Sequence, residues 1–360
     1  LLFVRKSIRF SQHISALVLL SLTVSCAEQS SDQAHEAVRD HATTVQAVSR
    51  MIIDTDMGGD VDDVGALAVA HYYADQGEAE LLAVIASIDQ RGPWAAAASD
   101  AVNTYYNRPD VVLGTNKGPA VAYAGDASYF TFHIGSNPEF GHDLITDEPV
   151  EDAVDVYRRL LEDQPDQSVD LIVIGWMSNI ANLMMTDSNH NNDGIDKTGK
   201  QLLEQKVKRL IVMGGSFPSG SEFNFELDGP SASVVTSELN VPMVYTGLEL
   251  GTLVRTGDSL VNTPADNPVR VAYRLYGKGI EPYSRASWDL TAILYAVEGL
   301  SDYFVLSDAG RNQVAFDGSN EWLSGDAKGD YYLELKDPDA RYRLQDRLNE
   351  ILQALPAGRE

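Results

Sequence analysis

The sequence predicts an α/β protein built on a single open, mostly parallel sheet with helices on both faces. Three observations carry this expectation. Six short apolar, β-branched runs are spaced between residues 51 and 247, helical patterns separate them, and the polar residues able to do chemistry come directly after the runs. Continuous apolar runs mark strands covered on both faces, and their alternation with helices marks parallel connections. In chain order, MIID at 51–54 opens the sheet, and helix 62–76 follows with Val64, Leu67, Ala70 and Ala74 on one face. LLAVIA at 81–86 precedes helix 94–107, and DVVLG at 110–114 precedes helix 151–164. DLIVIG at 170–175 precedes helix 178–186, and RLIVMG at 209–214 precedes helix 229–239. PMVYTG at 242–247 is the last strong strand, and helices 287–298 and 338–354 come after it. The polar stretch 187–199 reads as a solvated excursion, and 303–336 as a looser, peripheral region with some strand character. No internal repeat and no second domain is evident, so residues 50–360 read as one domain.

Composition narrows the function. The chain has 360 residues, 27 Lys+Arg against 53 Asp+Glu, and a formal net charge of -26. Such a chain has no basic surface with which to neutralise phosphates, so nucleic acid is excluded as a partner and anionic membrane surfaces repel it. A surplus of acid suits cations. The single cysteine, Cys26, makes no internal disulfide and no Cys-rich zinc site.

Residues 1–25 have a basic head (Arg5, Lys6, Arg9), an apolar stretch from Ile14 to Val24, and Ser25 just before Cys26. This is the pattern of a signal peptide, too short in its apolar part for a membrane span. LTVSC at 22–26 resembles a bacterial lipoprotein processing site, with Thr23 where such sites usually have Leu. The resemblance implies export and a lipid anchor at Cys26, with residues 26–49 as a polar tether.

Ligands of open parallel sheets bind beyond the carboxyl ends of the strands. There the first strand runs into DTDMGGDVDD, which places Asp54, Asp56, Asp60, Asp62 and Asp63 within ten residues. Carboxylates this close raise one another's pKa or need a cation between them, and hard oxygen donors suit Ca²⁺ or Mg²⁺. Gly58 and Gly59 allow the sharp fold that brings separated aspartates together. The helix dipole favours one or two acids at a helix start, but not five.

IIDTDMGGDVDDVGAL at 52–67 resembles the opening motif of the inosine-uridine type nucleoside hydrolases. Three more segments match in the family's order: IGWMSNIANL at 174–183, MGGSFPSGSEFNF at 213–225 and ASWDLTA at 286–292. The resemblance implies a catalytic domain that hydrolyses the N-glycosidic bond of ribonucleosides with bound Ca²⁺, and a homodimer or homotetramer. It implies that Asp56 is a metal ligand and the base for the attacking water, that Asp63 and Asp289 are further ligands, and that Ser178 supplies a main-chain carbonyl. Asp62, Glu222 and Asn224 would hold ribose hydroxyls. Two residues are inserted relative to the simplest family pattern, so Asp60 is an alternative to Asp62. Where some relatives carry a histidine before the late aspartate, this chain has Trp288, which can stack on a nucleobase but not donate a proton. Trp288, together with Tyr283, favours purine nucleosides; simple packing at a helix start is the other reading of Trp288.

Other features are weighed and set aside. Asn189, Asn191, Asp193 and Gly194 have the early spacing of an EF-hand loop, but Lys200 stands where a bidentate Glu is needed. His133 and His142 read as structural or surface residues, while Trp94 and Trp176 are candidates to line the pocket. Two rival functions remain. A haloacid dehalogenase-type phosphatase shares D-x-D after its first strand, but has Thr or Val where this chain has Gly58. A lipid-tethered nucleoside- or sugar-binding protein would use the same fold without catalysis.

Overall fold

The computed structural model describes residues 48–88, 94–121 and 128–359. The expected leader, Cys26 and the tether as far as residue 47 lie outside the described residues. In chain order the first half contains β1 (Ser49–Thr55), α1 (Asp62–Asp75), β2 (Ala79–Ala86), α2 (Ala95–Tyr105), β3 (Val112–Thr115), α3 (Ser128–Gly135), β4 (Glu151–Asp152), α4 (Ala153–Asp163), β5 (Val169–Val173), α5 (Ser178–Met184), α6 (Gly199–Lys206) and β6 (Val207–Met213). The second half contains β7 (Ser219–Gly220), α7 (Phe223–Leu227), α8 (Gly229–Glu238), β8 (Met243–Thr246), α9 (Leu248–Thr252), β9 (Arg255–Thr256), α10 (Pro268–Tyr276), β10 (Arg285–Ala286), α11 (Trp288–Glu298), β11 (Phe304–Leu306), β12 (Gly310–Val314), β13 (Asn320–Ser324), β14 (Tyr331–Leu335) and α12 (Ala340–Gln353).

Nine strands form the main sheet in the order β11-β14-β8-β6-β5-β1-β2-β3-β4. Neighbours run parallel throughout, except β11 against β14. The open α/β sheet expected from the apolar runs is therefore present, and the reason is visible in the burial pattern. Ile52, Ile85, Leu171, Val173, Leu210 and Val212 are buried under α4, α5, α6 and α8. Their strand neighbours Ile53, Val84, Ile172 and Ile211 are buried too, on the face that carries α1 and α11. With both faces covered, every residue of these strands favours an apolar side chain. At the opposite end from the site, Asp170 on β5 pairs with Arg209 on β6 at 2.7 Å, and Arg209 also donates to the Ala296 carbonyl at 2.9 Å. This buried pair ties the sheet to α11.

The structure adds elements that the sequence left out. The polar excursion ends in α6, which Thr198 and Gln201 start with a reciprocal capping box. The region read as peripheral contributes β11 and β14 to the main sheet, while β12 and β13 pair with β7 in a small antiparallel sheet. No described helix is long and apolar enough to cross a membrane.

Candidate functional site at the strand ends

The chain leaves β1 toward β2, β3 and β4 on one side, then returns to place β5 on the other. That reversal opens a crevice beyond the carboxyl ends of β1 and β5, the place where open α/β sheets bind ligands. A cavity of about 340 Å³ lies there. Its walls come from the segments after β1, β5 and β8, from the end of β6, from the start of α7 and from the β10–α11 junction.

The segment after β1 is shaped by two glycines and a close crossing. Gly58 has φ +118°, which a side chain would strain, and the Gly59 N–H closes a turn onto the Asp56 carbonyl at 2.9 Å. A Cβ on Gly175, just past β5, would lie 2.3 Å from the Asp56 nitrogen, so glycine there lets the two strand ends touch. Asp56 is thereby buried on the cavity wall. Asp54, two residues earlier, does not line the cavity and faces a hydrogen-bonded cluster. It accepts from the Tyr157 hydroxyl at 2.6 Å and from Asn179 Nδ2 at 3.1 Å.

Asp62 and Asp63 begin α1, and Asp289 lies in the first turn of α11. Their carboxylate oxygens come within 4.8 Å of one another, and all three side chains are buried. Asp62 accepts the backbone N–H groups of Trp288 at 2.9 Å and of Asp289 at 3.2 Å, which docks the start of α11 onto the start of α1. Thr55 Oγ1 donates to Asp63. Burial first, and then repulsion from neighbouring carboxylates, push all three pKa values well above the usual range. Three buried, acceptor-only groups with no basic side chain among them fit a divalent cation, whose charge removes the repulsion. Asp56 lines the same cavity outside this grouping, and burial followed by the charge of Glu222 pushes it up to about 8.

Glu222 and Asn224 are also in the wall. The Glu222 carboxylate caps α7, accepting from the N–H groups of Asn224 at 2.9 Å, Gly215 at 3.2 Å and Phe225 at 3.3 Å. Asn224 donates through Nδ2 to the Met213 carbonyl at 3.3 Å. Burial pushes Glu222 up to about 7, and likewise takes Asp147 and Asp330, which do not line this cavity, to about 6. These folded values exceed the ordinary ones, so the native state holds protons that the unfolded chain releases. The stability they contribute is full below about pH 4 and is lost as pH rises through 6 and 7. In chelator, Tm is therefore expected to rise by at least about 3 °C between pH 8 and pH 5.5, measured by calorimetry. A flat or falling Tm would contradict these assignments.

The cavity wall also carries Trp288, Tyr276, Phe223 and Arg285. Trp288 Nε1 donates to the Leu248 carbonyl at 3.0 Å, which fixes the indole against α9. Asp60 is engaged by Arg285, whose Nε lies 3.0 Å from both carboxylate oxygens.

A family model described as inosine-uridine preferring nucleoside hydrolase matches residues 51–324, which contain every residue of this cavity. The chain belongs to that nucleoside hydrolase family. A haloacid dehalogenase-type phosphatase is thereby set aside. Among curated proteins, none matches the sequence. Solved structures share the fold at low identity. The effector protein XOO4466 is 17% identical, with a TM-score of 0.62 over 91% of this chain and 99% of that one. The type III effector XopQ, solved with adenosine diphosphate ribose, is 14% identical, with a TM-score of 0.63 over the same shares. The inosine-uridine preferring nucleoside hydrolase from Bacillus anthracis is 14% identical, with a TM-score of 0.59 over 85% of this chain and 99% of that one.

Of the residues expected to form the site of this nucleoside hydrolase, Asp56, Asp60, Asp62, Asp63, Glu222, Asn224, Trp288 and Asp289 line one cavity. Asp62, expected at the ribose, stands among the clustered carboxylates. Ser178 and Tyr283 do not line the cavity. The Ser178 side chain is buried in the first turn of α5, and Tyr283 packs beside Gly277 with its ring 6.3 Å from Tyr276. Trp94, Trp176, His133 and His142 are also outside the lining; His142 bonds the Gly135 carbonyl at 2.9 Å. The sequence reading missed Tyr276, Phe223 and Arg285. The available signal for Arg285 was a base placed three residues before Trp288 in a late motif facing an acidic turn.

Proposed function

We propose that this protein hydrolyses the N-glycosidic bond of ribonucleosides to free base and ribose with Ca²⁺ bound, favouring purine nucleosides. The observation that carries the reading is that a buried carboxylate triad, Asp56 and an aromatic wall share one cavity in a chain of the nucleoside hydrolase family. Asp62, Asp63 and Asp289 would hold the cation, and their all-oxygen donor set supports Ca²⁺. When bound, the ion supplies Lewis acidity at the water and the sugar hydroxyls. Asp56 accepts the proton of the water that attacks C1′. Glu222, immobilised by three backbone N–H groups, and Asn224, held to the Met213 carbonyl, orient the sugar. The carboxylates around the sugar also stabilise the positive charge that develops on it as the bond breaks. Trp288 and Tyr276 offer faces to a base, which supports the purine preference.

The test is a panel of inosine, guanosine, adenosine, uridine and cytidine, with reducing sugar as the readout. Release is expected with Ca²⁺, lost in chelator and restored by Ca²⁺ more fully than by Mg²⁺. No release from any nucleoside overturns the reading. One observation favours a second reading, nucleoside binding without catalysis: among the described residues, the cavity lining includes no histidine to protonate the leaving base. Saturable binding without sugar release would support it. The proposal extends to location. The basic head, the apolar stretch and Cys26 support export and a lipid anchor, and palmitate labelling lost in Cys26→Ala is the corresponding check.

A further inference from the structure

Among the described residues, the cavity wall carries six carboxylates, Asp56, Asp60, Asp62, Asp63, Glu222 and Asp289, and one basic side chain, Arg285. That base is held in a defined way. Its guanidinium carbon lies 5.1 Å from the Trp288 ring centroid and 5.6 Å from that of Tyr276. Asp60 takes the Nε and Nη2 edge, with Nη2 at 2.5 Å, which leaves Nη1 with no hydrogen-bond partner among the described residues. A guanidinium paired on one edge and flanked by two rings keeps a fixed orientation. Its remaining N–H groups are donors beside the Trp288 and Tyr276 rings in the cavity wall.

Resting on the hydrolase reading above, we propose that Arg285 is the group that stabilises the departing nucleobase, by hydrogen bonding and charge rather than by giving up a proton. Cleavage breaks the C1′–N bond, and the bonding pair leaves with the ring nitrogen. The water oxygen bonds to C1′ and its proton passes to Asp56. The base departs as an anion held by Arg285 and takes its proton from solvent, and Asp56 returns its own proton to solvent. Net, one nucleoside and one water give one base and one ribose. A guanidinium stays protonated at any working pH, so it can stabilise negative charge without acting as an acid. Tyr276 is no substitute as proton donor, because burial first and then Asp60 raise its pKa above that of a free tyrosine. Asp60, one of the two inserted residues, is then a positioning residue for Arg285. The inference names the substrate class the site prefers: ribosides whose leaving group is a nitrogen anion bearing ring or carbonyl acceptors for Nη1.

The test separates this role from simple charge balance in an acidic site. Wild type, Arg285→Gln and Arg285→Lys are assayed with Ca²⁺ on inosine, adenosine, uridine and 4-nitrophenyl riboside, whose leaving group departs as an anion without help. Arg285→Gln is expected to lose about 100-fold in kcat/KM on the nucleosides, the size of a lost transition-state donor. On the nitrophenyl riboside its loss should stay under about fivefold, so log kcat/KM falls more steeply with leaving-group pKa. Arg285→Lys, with charge but no fixed fork, is expected to lie between. An equal loss on all substrates, or no loss, overturns the proposal. Should Arg285→Gln fail to fold, Asp60→Asn is expected to show the same dependence on leaving group at smaller amplitude, and a uniform effect there also overturns it. Wild type that releases neither base nor nitrophenol is a failure of the hydrolase reading instead.

Discussion

Asp56→Asn should lower kcat by about three to four orders of magnitude while leaving the fold intact. The residue sits at the point where β1 ends, buried against Gly175, with a side chain that faces the cavity and forms none of the hydrogen bonds that hold the strand ends together. Those bonds belong to Asp54, Tyr157 and Asn179. Asparagine has nearly the same volume, so the substitution removes an acceptor of protons and little else. A general base contributes roughly 10²–10⁴-fold in rate, and Asp56 is the cavity carboxylate placed to serve as one. The expected pattern is a collapse of kcat with a small change in Kd for a nucleoside, and with Tm shifted by no more than about 3 °C. By contrast, Asp54→Asn should unfold more easily, because Asp54 is fully buried among donors. If Asp56→Asn keeps more than a tenth of the wild-type rate, another group takes the proton.

How far the site can be read from the sequence depends on range. The β1 turn was legible because its chemistry is local: five aspartates and two glycines in ten residues leave few structural explanations. The long strands were legible because burial on both faces removes the polar alternation. The short helices α3, α7 and α9 were not, since their apolar content is set by what they pack against and not by a repeating pattern of their own, whereas α10 went unread although Val269, Ala272, Tyr273 and Tyr276 share one face. The same limit applies within the site. That Asp62 joins Asp63 and Asp289 depends on α11 docking its first N–H groups onto α1. That Asp60 leaves this group depends on Arg285, 225 residues away in sequence. No spacing encodes either contact. Tyr283 shows the converse: an aromatic residue five positions before Trp288 looked available for stacking, yet it covers Gly277 outside the cavity.

Asp289→Asn should have opposite effects on stability with and without the cation. The Asp289 carboxylate stands within 4.8 Å of those of Asp62 and Asp63, and among the described residues the bond between Asp289 and Asp62 uses the Asp289 backbone, not its carboxylate. Its backbone N–H, which bonds Asp62, survives the substitution. Two unit charges at that spacing repel by about 3 kcal/mol at an effective dielectric of about 20, less whatever protonation relieves. In chelator the neutral amide removes this repulsion, and Tm is expected to rise by about 2–4 °C over wild type at pH 8. With Ca²⁺ the order reverses. The wild type gains stability by mass action, about 2.7 kcal/mol at 100 times Kd, whereas the variant, short of one anionic ligand, is expected to bind at least about 100-fold more weakly. Calorimetric melts across a Ca²⁺ titration should therefore cross, with the variant above at zero metal and below at millimolar metal. Parallel curves would mean that this triad is not where the cation binds. A variant less stable in chelator would mean that the three carboxylates are held together by something other than a missing counter-charge.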